Sequence, residues 1–165
     1  MPHPDSNSPQ MAEPRWLGDS QQLAWRALLA INNRAFPELE RTFKEHGLVA
    51  VQYSILVALS EAPDRTLRLT ELADYANSSP SRLTHRLRDL IACGDIEVTA
   101  DPADGRGKHA TLTDSGFERL RRLAPLHVED VQRVLFDPLS AVQTAALADA
   151  LSAIAAGLCD HEGFG

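Results

Sequence analysis

The fold is decided by residues 69–113, LTELADYANSSPSRLTHRLRDLIACGDIEVTADPADGRGKHATLT. Leu69, Leu72, Ala73 and Ala76 recur at helical spacing, with Thr70 placed to cap the start and Glu71 and Asp74 suited to its first turn. Asn77-Ser78-Ser79 breaks that helix, and Pro80 fits the first position of a second one capped by Ser79. Leu83, Leu87, Leu90 and Ile91 fall on one side of the second helix, and Arg82, His85, Arg86 and Asp89 on the other. Gly94 ends it. Two short helices joined by about three residues have the dimensions of a helix-turn-helix, whose second helix enters the DNA major groove.

The residues that follow sharpen this reading. Ile96-Glu97-Val98-Thr99 and Lys108-His109-Ala110-Thr111-Leu112 read as two short strands, and the stretch between them, Asp101 to Gly107, is rich in turn formers. Alone, this would be a surface hairpin with a solvated arginine. Directly after a helix-turn-helix it reads as a wing, with Arg106 set against the DNA backbone or in a minor groove.

Outside this stretch the sequence is helical. A proline-rich tail (residues 1–15) has the composition of a disordered segment, and Met11 is an alternative start that the sequence leaves open. Leu23, Leu28, Ile31, Phe36, Leu39 and Phe43 predict a helix from about Ser20 to His46, kinked or broken by Pro37 near Phe36. Residues 49–59 form the next helix, so residues 20–61 make an N-terminal dimerisation and core region before the winged region at 62–113. A long helix from Thr113 or Asp114 to about Phe136, kinked at Pro125, precedes a last helix opened by Ser140 and Gln143. These make a C-terminal dimerisation region at 114–157, and residues 158–165 form a frayed tail. The fold class is therefore mainly α with a small β-hairpin wing, a winged helix-turn-helix core between long helices. Those helices carry more apolar surface than a small core needs to cover, which predicts a symmetric homodimer.

A formal net charge of −7 over 165 residues excludes a generally basic nucleic-acid coat. It leaves room for a local positive face built from Arg82, Arg86, Arg88, Arg106 and Lys108. No apolar run approaches bilayer length and no signal-peptide core opens the chain, which predicts a cytoplasmic protein without membrane contact. Two cysteines are too few for a disulfide framework; Cys93 reads as a buried, inert thiol and Cys159 as an exposed one. The histidines have no metal-ligand spacing, so neither a metal nor a cofactor is expected. Ser81 and His85 lie one turn apart, but no third member or oxyanion-hole pattern accompanies them, and no enzyme is expected. The wing is neither a phosphate loop, since Pro102 stands where a glycine is required, nor an EF-hand, since Leu112 stands where the glutamate would be.

Leu69-Thr70-Glu71-Leu72-Ala73, then Ser81-Arg82-Leu83-Thr84-His85-Arg86-Leu87, then Asp104-Gly105-Arg106-Gly107, and finally Leu112-Thr113-Asp114-Ser115-Gly116 stand in the order and spacing of one family. Over residues 21–157 the chain resembles the MarR family of bacterial transcriptional regulators. The resemblance implies a homodimer joined through its first and last helices on pseudo-palindromic double-stranded DNA, and commonly a repressor released by a small aromatic or phenolic effector. It implies that Ser79, Ser81, Arg82, His85 and Arg86 face the major groove, with Lys108 in the same basic patch. Arg106 matches the minor-groove arginine, and Asp104 the acidic residue that orients it. For the effector crevice it implicates Trp25, His46, Tyr53, Phe117 and His127, with core packing as the alternative for each. The rival to DNA binding is a winged-helix protein–protein interaction module, which the acidic charge allows.

Overall fold

The computed structural model describes residues 14–101 and 107–159. Its order is α1 (Asp19–Glu45), α2 (Ala50–Glu61), β1 (Thr66–Arg68), α3 (Leu69–Tyr75), α4 (Pro80–Ala92), β2 (Ile96–Ala100), β3 (Lys108–Leu112), α5 (Asp114–Val131), a π-helical turn (Gln132–Phe136) and α6 (Ala141–Cys159). The helix-turn-helix is α3 and α4, and the two expected strands are β2 and β3.

Helices α1, α2, α3 and α6 open in one way. A Gln or Glu in the first turn reaches back to the N–H of the residue before the helix: Gln21 to Gly18, Gln52 to Val49, Glu71 to Arg68 and Gln143 to Ser140. This corrects Thr70 as the cap of α3, because the helix already begins at Leu69 and Glu71 satisfies its free donor.

The sheet holds a strand that sequence reading did not find. Short β1 pairs antiparallel with β3 in the order β1-β3-β2, setting Arg68 opposite His109 and Ala100 opposite Lys108. At three residues it is too short to display an alternation. Its neighbours Asp64 and Arg65 both take positive φ, turning the chain sharply into it.

Ile55, Leu56, Leu59, Leu72, Leu83, Leu87, Leu90, Ile96 and Leu123 are the largest fully buried side chains, and they join α2, α3, α4, the sheet and α5 into one core. Ridding these chains of water stabilises the unit by roughly 1.5–3 kcal/mol per side chain before ordering costs. The recognition helix is thus held by Leu83, Leu87 and Leu90, whereas Ile91, expected in the same stripe, is 45% exposed near the end of α4.

Neither proline breaks its helix: α1 runs through Pro37 and α5 through Pro125. Each proline forfeits a bond to the carbonyl four residues earlier, at Asn33 and Arg121. Both of those residues are exposed, where water can stand in for the lost donor. The irregularity falls later, in the π-helical turn at Gln132–Phe136.

Two expectations about exposure are also corrected. Cys93 is exposed, since it caps the C-terminus of α4 where the chain leaves the core. Residues Ala141–Leu158 do reach bilayer length by composition, with a mean hydropathy of 1.4. Its polar residues are Gln143, Thr144, Ser152 and Asp149, the last its one charge. None of this segment is buried within the chain, and Leu23, Trp25, Leu28, Leu29 and Ile31 of α1 are similarly exposed.

Candidate nucleic-acid interface

Helix α4 is positioned by its ends and its apolar stripe. The Ser79 hydroxyl accepts from the Arg82 N–H at 3.5 Å and shares a 3.2 Å contact with the Ser81 hydroxyl, so Ser79 works first as a cap. With Leu83, Leu87 and Leu90 buried, the opposite face presents Ser81, Arg82, His85 and Arg88 to solvent, with Arg86 half-buried beside them. Among the described residues no ion pair engages Arg82, Arg86 or Arg88, whereas Arg41, Arg65, Arg68, Arg119, Arg121 and Arg133 are all paired with carboxylates. Guanidinium groups left unpaired on one helix face are available for phosphates and guanine edges.

The wing is clamped at its base. The Asp101 N–H donates to the Gly107 carbonyl at 2.9 Å, tying the end of β2 to the residue before β3. The Asp101 carboxylate is almost wholly buried and takes the Arg68 guanidinium of β1 at 2.7 Å, with His109 Nε2 4.0 Å away. Lys108 stands exposed at the start of β3. Asp104 and Arg106, the expected minor-groove pair, lie outside the described residues.

Behind α4 is a brace that sequence reading missed. Asp95, buried in the turn after α4, pairs with the Arg119 guanidinium of α5. Arg119 also donates to the carbonyls of His46 at 2.6 Å and Gly47 at 3.2 Å, in the turn between α1 and α2. The Thr113 hydroxyl donates to the Gly94 carbonyl at 2.6 Å and accepts from the Gly116 N–H at 3.0 Å. Gly116 lies so close to this turn that an added Cβ would stand 2.1 Å from the Asp95 carbonyl oxygen. The start of α5 and the end of α4 therefore move as one piece.

Of the five residues implicated in an effector crevice, the structure brings two together. A crevice of about 370 Å³ is lined by Phe36, Leu39, Phe43, Tyr53, His127 and Val131, among others. The Phe43 and Tyr53 rings stack at 4.6 Å, and the His127 ring meets them at 4.7 and 5.0 Å. Trp25 is exposed on α1 outside this crevice. His46 ends α1, its Nδ1 2.8 Å from the Thr42 carbonyl. Phe117 packs on the core beneath the Arg65 guanidinium, 4.0 Å from its ring centre. Beside the crevice, the Thr42 hydroxyl of α1 donates to Asp130 of α5. Together with Arg133, this bond keeps the Asp130 carboxyl below the usual carboxylate range.

His127 Nδ1 is buried with no hydrogen-bond partner among the described residues, and burial holds the imidazole below its ordinary pKa of 6.5, against a smaller opposing pull from Asp130. A lowered base pKa means that the unfolded chain takes up a proton here before the folded one does. Stability is unaffected above the unfolded value and declines as pH falls below it. Replacing His127 with Phe should therefore cut the loss of thermal midpoint between pH 7.5 and 5.5. Parallel melting curves for variant and parent over that range would refute the assignment.

Comparison with known proteins agrees with the winged-helix fold. A MarR family model matches residues 46–107. A MarR family transcriptional regulator from Streptomyces coelicolor, solved in complex with DNA, superposes with a TM-score of 0.85 at 40% identity, covering 92% of this chain and 96% of that one. AbsC, a MarR family regulator from the same organism, gives 0.83 at 35% identity, covering 90% and 100%. A curated relative, the transcriptional repressor YetL of Bacillus subtilis, is 28% identical over 109 residues. That match takes in 66% of this chain and 65%, just under two thirds, of the repressor's length. Identity at this level, sustained over nearly the whole of two family structures, establishes that the chain belongs to the MarR family of transcriptional regulators.

Proposed function

We propose that this chain binds double-stranded DNA sequence-specifically as a homodimer and represses transcription until a small aromatic or phenolic ligand enters the crevice. The observation that carries the DNA reading is the exposed face of α4, with three arginines free of ion pairs behind a capped, fully anchored helix. In support, a relative at 40% identity was solved in complex with DNA, and YetL is named a repressor. The homodimer rests on the uncovered apolar surfaces of α1 and α6, which a second copy would remove from water. Two-fold symmetry then sets the two recognition helices about one DNA turn apart, on a pseudo-palindromic operator.

Release follows from differential affinity. The crevice lies between α1, α2 and α5, so its width depends on how the dimer helices sit on the winged unit. A ligand that fits better at a helix separation mismatched to the operator draws the population away from DNA. An aromatic ring suits the Phe43, Tyr53 and His127 walls, and a phenolic hydroxyl can donate to a neutral imidazole nitrogen.

The test is fluorescence anisotropy on an operator selected from random duplexes, against unrelated duplex competitor and over rising salt. Arg82→Ala and Arg86→Ala should each cost about 1–3 kcal/mol on the operator and relax preference at the contacted base. Arg106→Ala should weaken operator and competitor alike, lowering the magnitude of the salt slope by about one unit. Operator affinity unchanged in Arg82→Ala and Arg86→Ala would remove α4 as the reading element. A wild-type protein that enriches no sequence and ignores duplex DNA at low salt would point to a protein-interaction module.

A further inference from the structure

Gln52 is a polar side chain buried between α2 and the recognition helix, 6% exposed. Its carbonyl oxygen takes the Val49 N–H at 3.1 Å, which orients the amide. Its Nε2 therefore faces α4, where it donates at 3.3 Å to the Arg86 carbonyl and at 3.3 Å to Asp89 Oδ2. Both amide hydrogens are used, on one backbone and one side-chain acceptor of the same helix.

The second acceptor matters for DNA. Asp89 lies three residues beyond Arg86 and four beyond His85, the spacings at which helical side chains meet. A free carboxylate there would pair with Arg86 and take it from the DNA, while its own charge repelled phosphate. The structure has it otherwise: Asp89 bonds to Gln52, and no ion pair among the described residues joins it to Arg86.

We propose that Gln52 is a positioning residue for DNA reading, holding the Asp89 carboxylate against α2 so that Arg86 stays free for the operator. The proposal rests on the DNA-binding reading of α4. It assigns Asp89 no contact with bases and Gln52 no contact with DNA.

The experiment measures discrimination between the selected operator and an unrelated duplex for full-length protein, with thermal midpoints as a fold control. Gln52→Leu, which removes the donor, should lower discrimination by about tenfold, equivalent to 1.4 kcal/mol. Asp89→Ala alone should leave it within about twofold of wild type, and added to Gln52→Leu should restore it to within about threefold. A purely structural tie predicts a lowered midpoint in Gln52→Leu that Asp89→Ala does not repair. Should Gln52→Leu fail to fold, the exchange pair decides. Gln52→Glu keeps the acceptor for Val49 but opposes two carboxylates, and Asp89→Asn supplies the donor from the other side. Discrimination lost in Gln52→Glu and regained on adding Asp89→Asn supports the proposal. Loss that persists whatever stands at position 89, or no loss in any Gln52 variant, overturns it while leaving DNA binding intact. A wild type that discriminates between no duplexes overturns both readings together.

Discussion

Gly116→Ala should unfold about 6–12 °C below the parent chain, a loss of roughly 3 kcal/mol at the upper end of overpacking costs. A methyl group there meets the Asp95 carbonyl oxygen at 2.1 Å, and the carbon of that carbonyl at 2.8 Å. Backbone cannot rotate away as a flexible side chain would. Relief requires either the start of α5 to lift, breaking the Thr113 contacts to Gly94 and Asp95, or the turn after α4 to shift with the helix it follows. DNA affinity should fall more than folding alone explains, because the second route re-aims α4. Circular dichroism melting gives the first effect, and operator titration well below the midpoint gives the second. A midpoint within about 2 °C of the parent would mean that the two segments are not in this contact.

Arg119→Met should cost about 3–5 kcal/mol, because it leaves the Asp95 carboxylate buried without its partner. The loss extends beyond the pair, since the same guanidinium holds the His46 and Gly47 carbonyls and so fastens α5 to the turn between α1 and α2. Asp95→Asn should be milder, because an amide can still accept from Arg119 and carries no charge to strand. In the double variant the penalties should overlap, the sum of the singles exceeding the combined loss by about 1.5 kcal/mol or more. Urea denaturation of the four proteins measures this. Strict additivity would show that the two side chains act separately.

The legible parts of the chain were those with local chemistry. Ser79, Pro80 and Gly94 bracket α4 to within a residue, and its leucine stripe tells which face is left for arginines. Long-range polar contacts were not legible. Asp95 and Arg119 stand 24 residues apart, and nothing in either neighbourhood marks the aspartate as buried. Gln52 carried a faint signal, a Gln in the first turn of a helix whose preceding residue, Val49, has no capping side chain. That pattern foretells the bond to Val49 but not the two to α4. Trp25, His46 and Phe117 were grouped with the crevice because they share its helices, and helix membership alone does not say which face a side chain takes. That α1 runs on through Pro37 was illegible for a related reason: the cost of a proline depends on whether the freed carbonyl faces water, which is a property of the tertiary fold.

The lack of slack between Gly116 and Asp95 has a mechanical consequence. Helix α5 has 18 residues and is about 27 Å long. With one end seated against the turn behind the recognition helix, it acts as a lever whose long arm points toward the π-helical turn and α6. Tilting it by about 7° about one end displaces the other by about 3.4 Å, the rise of a single base step. A joint with play would absorb so small an angle; this one passes it on whole. An ångström of movement at the far end of α5, where the crevice walls lie, therefore turns the helix by about 2°, and the close contact at Gly116 hands that rotation to the turn behind α4.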